Sequence, residues 1–140
     1  MALNSSPIII AKADGKIRDG LLSILENQPF ILIIGAVQDE LSLLEQLGLF
    51  SGECIILLDI NLFANNTFNI LNRIHAEYPR TSSILLVNTF HQKKTAISMG
   101  FNNLLIKGFN ADDLLTLIHL ATTAKRLNNK PVETDQVVRL

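Results

Sequence analysis

Cys54-Ile55-Ile56-Leu57-Leu58-Asp59 is an apolar run stopped by a single carboxylate. An apolar stretch of this length, set between the turn region Gly48 to Gly52 and the polar Asn61, reads as a strand buried on both faces. Such strands belong to parallel sheets covered by helices. A carboxylate at the carboxyl end of a parallel strand lies where open α/β sheets place their chemistry. Asp59 is therefore the residue whose role has to be explained, and the rest of the chain decides what surrounds it.

Working outward, Ile8-Ile9-Ile10-Ala11 within Pro7 to Lys12 forms a short β-branched run, a first strand, with Gly15 as a turn residue after it. Ile17, Leu21, Leu22, Ile24 and Leu25 fall at helical spacing, and Asn27-Gln28-Pro29 stops that helix. Phe30 to Ile34 is the second strand, ending at Gly35-Ala36-Val37, and Asp39 caps a helix carrying Leu41, Leu43, Leu44 and Leu47. Beyond Asp59, Asn65-Asn66 open a helix through Phe68, Ile70, Leu71 and Ile74, closed by Pro79. Ser83 to Val87 is the fourth strand, Lys93 to Met99 a short helix ending at Gly100, and Leu104 to Ile106 the fifth strand. Asn110 or Asp112 caps a last helix bearing Leu114, Leu115, Leu117, Ile118 and Leu120.

Strands alternating with amphipathic helices predict an α/β domain of flavodoxin-like type: five parallel strands in the order 2-1-3-4-5, with helices on both faces. The topological switch point then lies between the first and third strands, so Lys12 and Asp59 border it. Residues 1–127 form this domain, and 128–140, polar with Pro131 and no period, read as a tail or the start of a linker.

Composition narrows the function classes. Hydrophobic residues make up 48% of the chain and charged residues 18%, but no apolar run approaches the length of a membrane span. The start of the chain lacks a basic segment followed by an apolar one, so a cytoplasmic location is expected. A net charge of -1 carries no electrostatic footprint for nucleic acid or membrane. The single Cys54, inside an apolar run, reads as a buried structural thiol. His75, His91 and His119 are dispersed, without partners at metal-ligand spacing, and read as ordinary helix or surface histidines.

Three fragments in order carry a resemblance: Leu57-Leu58-Asp59-Ile60-Asn61, Leu104-Leu105-Ile106-Lys107, and Ile10-Ala11 followed by Ile17-Arg18-Asp19-Gly20-Leu21-Leu22. Over roughly residues 7 to 126 the chain resembles a response-regulator receiver domain of two-component signalling, and its first strand and helix are similar to receivers of the LuxR-like transcription-factor subfamily. The resemblance implies a binding module in phosphorelay signalling, not an enzyme that turns over. It implies a histidine kinase or other signalling protein as partner, a homodimer through the face from the fourth to the fifth helix, and a DNA-binding output domain outside this chain. No nucleic acid or membrane is implied for the domain itself.

In that family an aspartate attacks a phosphoryl group and becomes an acyl phosphate. The dispersed negative charge of the transferring group calls for cations held in place. The family uses Mg2+, bound by acidic residues after the first strand, by the acceptor, and by a backbone carbonyl two residues beyond it. A lysine and a hydroxyl hold phosphoryl oxygens. Carried onto this chain, Asp59 matches the phosphoacceptor, Asn61 the carbonyl and Lys107 the lysine. Asn88 falls at the hydroxyl position, with Thr89 one residue late.

The acidic pair falls on Lys12 and Ala13, so a metal-ligating carboxylate is replaced by a cation. Asp14, one residue further on, reaches the site only if the strand end is shifted. Phe63 and Gly108 stand where the family carries prolines, and Leu104 or Leu105 replaces the switch aromatic of the fifth strand. No cofactor is expected, with Mg2+ relevant only if Asp59 is phosphorylated and then weakly held by Asp59, Asn61 and Asp14.

Two roles for Asp59 stay open: a phosphoacceptor assisted by Lys107, and a carboxylate locked by Lys12 and Lys107 in an atypical receiver that signals by contact. A plain strand-end aspartate capping its own loop is the simplest reading of the residue alone. From another class, a flavodoxin-like cofactor-binding enzyme would need a phosphate-cradling loop after the first strand. Lys12-Ala13-Asp14-Gly15-Lys16 is a poor one.

Overall fold

The computed structural model describes residues 6–12, 15–50 and 52–128. Five strands, β1 (Ser6–Ala11), β2 (Ile31–Val37), β3 (Cys54–Asp59), β4 (Thr81–Val87) and β5 (Leu104–Ile106), pair in parallel in the order β2-β1-β3-β4-β5. Between and after them run α1 (Gly15–Glu26), α2 (Glu40–Leu49), α3 (Thr67–Glu77), α4 (Phe90–Ser98) and α5 (Ala111–Asn128). The flavodoxin-like architecture expected from the alternation of apolar runs and helical stripes is the one found.

Strand period divides the core in two. Ile8, Ile10, Ile55, Leu57, Ile84, Leu86 and Leu105 pack with Leu21 and Leu25 of α1 and with Leu114 and Ile118 of α5. Ile9, Ala11, Ile56, Leu58, Leu85 and Val87 face the other way, against Leu43 and Leu47 of α2, Ile70, Leu71 and Ile74 of α3, and Ala96 of α4. Both faces of β1 and β3 are thus covered, which is why those strands read as unbroken apolar runs. Cys54 is buried at the start of β3 and forms no disulfide among the described residues.

Several boundaries differ from the sequence expectation, each for a local reason. Gly15 is the first helical residue of α1 and not a turn residue. The helix predicted from Asn65-Asn66 begins with a 3-10 turn over Ala64–Asn66, entered at Ala64 with φ 55, and becomes α-helical at Thr67. The helix predicted from Lys93 begins at Phe90, because Thr89 caps it, its Oγ1 accepting from Gln92 N at 3.1 Å. Strand β4 starts at Thr81, where His75 of α3 ties helix to sheet. The Thr81 hydroxyl donates to the Tyr78 carbonyl, so its oxygen accepts from His75 Nδ1, which leaves Nε2 to accept from Ser83 Oγ at 2.9 Å.

Caps elsewhere follow expectation. Asp39 Oδ1 accepts from Ser42 N at 2.8 Å, and that amide holds the Asp39 carboxyl below its ordinary range. Asn110 caps α5, with Asn110 Oδ1 accepting from Asp113 N and Asp113 Oδ2 accepting from Asn110 N.

Gly35 shows how closely α2 packs on β2. A Cβ added there would lie 2.8 Å from Gln46 Cδ, and Gln46 Nε2 donates to the Ile34 carbonyl at 2.8 Å. The Gln46 side chain can swing away, at the loss of that bond. Gly35→Ala is therefore expected to cost about 1 kcal/mol, measured as a lowered urea midpoint at unchanged slope, and Gln46→Ala should remove most of the difference.

Candidate functional site

Register brings the site together. Ala11 pairs with Leu58 across β1 and β3, so the next residues, Lys12 and Asp59, stand opposite each other at the carboxyl edge of the sheet. Backbone bonds carry the ladder past the strand ends: Lys12 N donates to Val37 O, Ile60 N to Leu86 O, and Lys107 N to Val87 O. The hydrogen-bonded edge therefore extends to Lys12, Ile60 and Lys107, where the chemistry-bearing residues emerge.

Lys12 Nζ lies 2.9 Å from Asp59 Oδ2. Their side chains retain only 11% and 13% of their accessible surface. At this distance the contact is a charge-assisted hydrogen bond as well as an ion pair. The second carboxylate oxygen, Oδ1, accepts from Asn61 N at 3.0 Å, closing an Asx turn over Ile60. Asp59 thus holds its own loop and pairs with Lys12 at once. The loop is fixed further by Thr67 Oγ1 donating to the Ile60 carbonyl at 2.6 Å, and by Phe63, which is buried in the core where the family has a proline. Arg18 of α1 donates to the Lys12 carbonyl at 3.3 Å.

Lys107, expected to join Lys12 at Asp59, does not. Among the described residues it makes no ion pair with Asp59, and its side chain is exposed. The chain leaves β5 through Gly108 at φ +96, a conformation closed to the proline found there in the family. It lines an open cleft with Lys93, Phe109 and Asp113 instead. Thr89 spends its hydroxyl oxygen on the cap of α4, and Asn88 is exposed, its amide donating to Gln92 Oε1 at 2.7 Å. Ala13 and Asp14 lie outside the described residues.

Gln92 was not singled out by sequence reasoning. Its backbone amide meets Thr89 Oγ1, its Oε1 accepts from Asn88 N, and its Nε2 donates to Asn61 Oδ1 at 3.1 Å. The signal was present: Thr89-Phe90-His91-Gln92 is a capping-box pattern, in which the glutamine reaches back over the helix start.

Among the described residues the fit to Mg2+ is poor. Such an ion takes only oxygen ligands in near-octahedral geometry, whereas an ammonium occupies Oδ2. Among the described residues no group of three His, Cys, Asp or Glu side chains is placed to hold a metal.

No family model and no curated protein matches the chain. Solved structures match its fold, which is that of response-regulator receiver domains. RcsB from Salmonella enterica serovar Typhimurium, bound to promoter rprA in the presence of the phosphomimetic BeF3-, superposes with a TM-score of 0.74 at 18% identity, covering 86% of this chain and 61% of that one. NtrX from Brucella abortus in complex with ATP gives 0.75 at 20% identity, covering 95% and 29%. The response regulatory domain of mrkE from Klebsiella pneumoniae gives 0.71 at 16% identity, covering 86% and 98%. The chain therefore spans less than two thirds of the RcsB and NtrX chains and nearly all of the mrkE domain. No helix among the described residues is long and apolar enough to cross a membrane.

Proposed function

We propose that this chain is an atypical receiver module of two-component signalling in which the Lys12 ammonium replaces the metal at Asp59. The single observation that supports this reading is the 2.9 Å Lys12–Asp59 pair at the switch point of a receiver fold. In a phosphoacceptor site the carboxylate is neutralised by a divalent ion that also grips the incoming phosphoryl oxygens. Here one fixed positive charge neutralises Asp59 alone and offers the phosphoryl group nothing further. Lys107, which would complete the cationic cradle, makes no ion pair with Asp59 among the described residues.

The module then works by contact. Its partner is a histidine kinase or another signalling protein, and its output is transcription through a DNA-binding domain outside residues 1–140, by analogy with the promoter-bound RcsB neighbour. The face running from α4 across β5 to α5 exposes Phe90, Ile97, Ile106 and Leu120, which suits a homodimer.

Incubation with Mg2+ and a small phosphodonor, followed by intact mass, tests the reading. No adduct is expected on the unaltered chain. An adduct that disappears in Asp59→Ala would establish the competing reading, a working phosphoacceptor. Flavin or nucleotide absorbance in the purified protein would instead favour a cofactor-binding enzyme.

A further inference from the structure

The Lys12–Asp59 pair is the first link of a continuous chain of hydrogen bonds. Lys12 Nζ donates to Asp59 Oδ2; Asp59 Oδ1 accepts from Asn61 N; Asn61 Oδ1 accepts from Gln92 Nε2; and Gln92 Oε1 accepts from Asn88 N. The amide orientations in this chain are determined by the backbone. Asn88 N can only donate, so the Gln92 atom facing it is the oxygen. Its nitrogen then faces Asn61, whose oxygen must accept.

Five residues from the end of β1, the end of β3, the β3–α3 loop, the β4–α4 loop and α4 are thus joined through Gln92, whose own amide is held by Thr89. Beside the chain lies a cleft of about 260 Å3 between α3 and α4, lined by Asn61, Thr67, Phe68, His91, Gln92 and Thr95. It gives the first turn of α4 room to move if Gln92 lets go.

We infer that Asn61 and Gln92 couple the Lys12–Asp59 pair to the start of α4, so that opening the pair loosens the β4–α4 loop. Gln92 is a positioning residue in this device, acting through Asn61 and not on Asp59 directly. The inference deepens the reading above and rests on its ion pair. It names the two side chains, Asn61 and Gln92, through which a change at Asp59 reaches the first turn of α4.

Native-state amide exchange on the full chain tests it. Asn88 N is the reporter, and Ser42 N, which bonds Asp39 in a similar cap on α2, is the reference for any general loss of stability. Lys12→Met is expected to speed exchange at Asn88 about tenfold relative to Ser42. In an Asn61→Ala background, where the Gln92–Asn88 bond is retained and the link to Asp59 is cut, Lys12→Met should add nothing at Asn88. If Lys12→Met does not fold, Asp59→Asn breaks the charge pair, keeps an acceptor for the Asn61 amide, and should give the same pattern. No excess exchange at Asn88, or an equal excess with and without the Asn61 side chain, would overturn the coupling. A phosphoryl adduct on Asp59 would sink the preceding reading and leave this cycle untouched, so the two failures are distinguishable.

Discussion

Lys12→Met should destabilise the domain by about 3 kcal/mol, the lower end of the range for breaking a buried ion pair. The loss comes less from the attraction itself than from the carboxylate left behind. Asp59 has 13% of its side-chain surface exposed, so an unpaired charge there is only partly solvated. Oδ1 keeps its bond to the Asn61 amide, and the site lies at the sheet edge, within reach of water, which holds the cost near the lower bound. Urea denaturation reads the effect as a lower midpoint at unchanged slope. Adding Asp59→Asn to Lys12→Met removes the stranded charge while keeping the turn, and should bring stability back to within about 1 kcal/mol of the parent. A single variant as stable as the parent would mean that the ion pair contributes nothing.

Lys12→Asp should convert the site from metal-indifferent to metal-dependent. The substitution sets a second carboxylate directly opposite Asp59 in the β1–β3 register, where like charges repel. Without divalent ions the variant should be at least as unstable as Lys12→Met. Two facing carboxylates and the Asn61 carbonyl are oxygen donors of the kind Mg2+ takes. Binding to the folded state alone then stabilises it by mass action, about 2.7 kcal/mol at a hundredfold excess over the dissociation constant. Thermal melts with Mg2+ and with a chelator should therefore diverge for Lys12→Asp and coincide for the unaltered chain. Coincident melts for both proteins would show that Lys12 is not what keeps the metal out.

The fold was legible because each strand of the core is an unbroken apolar run and each helix carries a stripe. Ile8 to Ala11 and Cys54 to Leu58 leave no polar position for water, which only a doubly covered parallel strand tolerates. The address of Asp59 was legible for the same reason, and so was the charge reversal at Lys12. What the chain order did not disclose is direction. Lys107 follows an apolar strand as the family's lysine does, but Gly108 at φ +96 sends the chain along a path open to glycine and closed to proline. Thr89 resembled a displaced hydroxyl, yet its place before Phe90 made it a helix cap, and the helix began three residues before Lys93 as a consequence. The capping-box pattern places Gln92 at the start of α4, but its reach to Asn61 is tertiary: only when the β3–α3 and β4–α4 loops lie side by side does one amide meet both Asn61 and Asn88.

Lys12 and Gln92 describe two ends of one arrangement. Lys12 gives Asp59 a charged partner at 2.9 Å, and Gln92 ties the loop beside Asp59 to α4.

Most direct is a magnesium titration of the unaltered chain, followed by the amide resonance of Asn61, which sits on Asp59 Oδ1. With the Lys12 ammonium in place, that resonance should not move at millimolar Mg2+, while in Lys12→Asp it should shift and saturate. A saturable shift in the unaltered chain would contradict the replacement of the metal by Lys12.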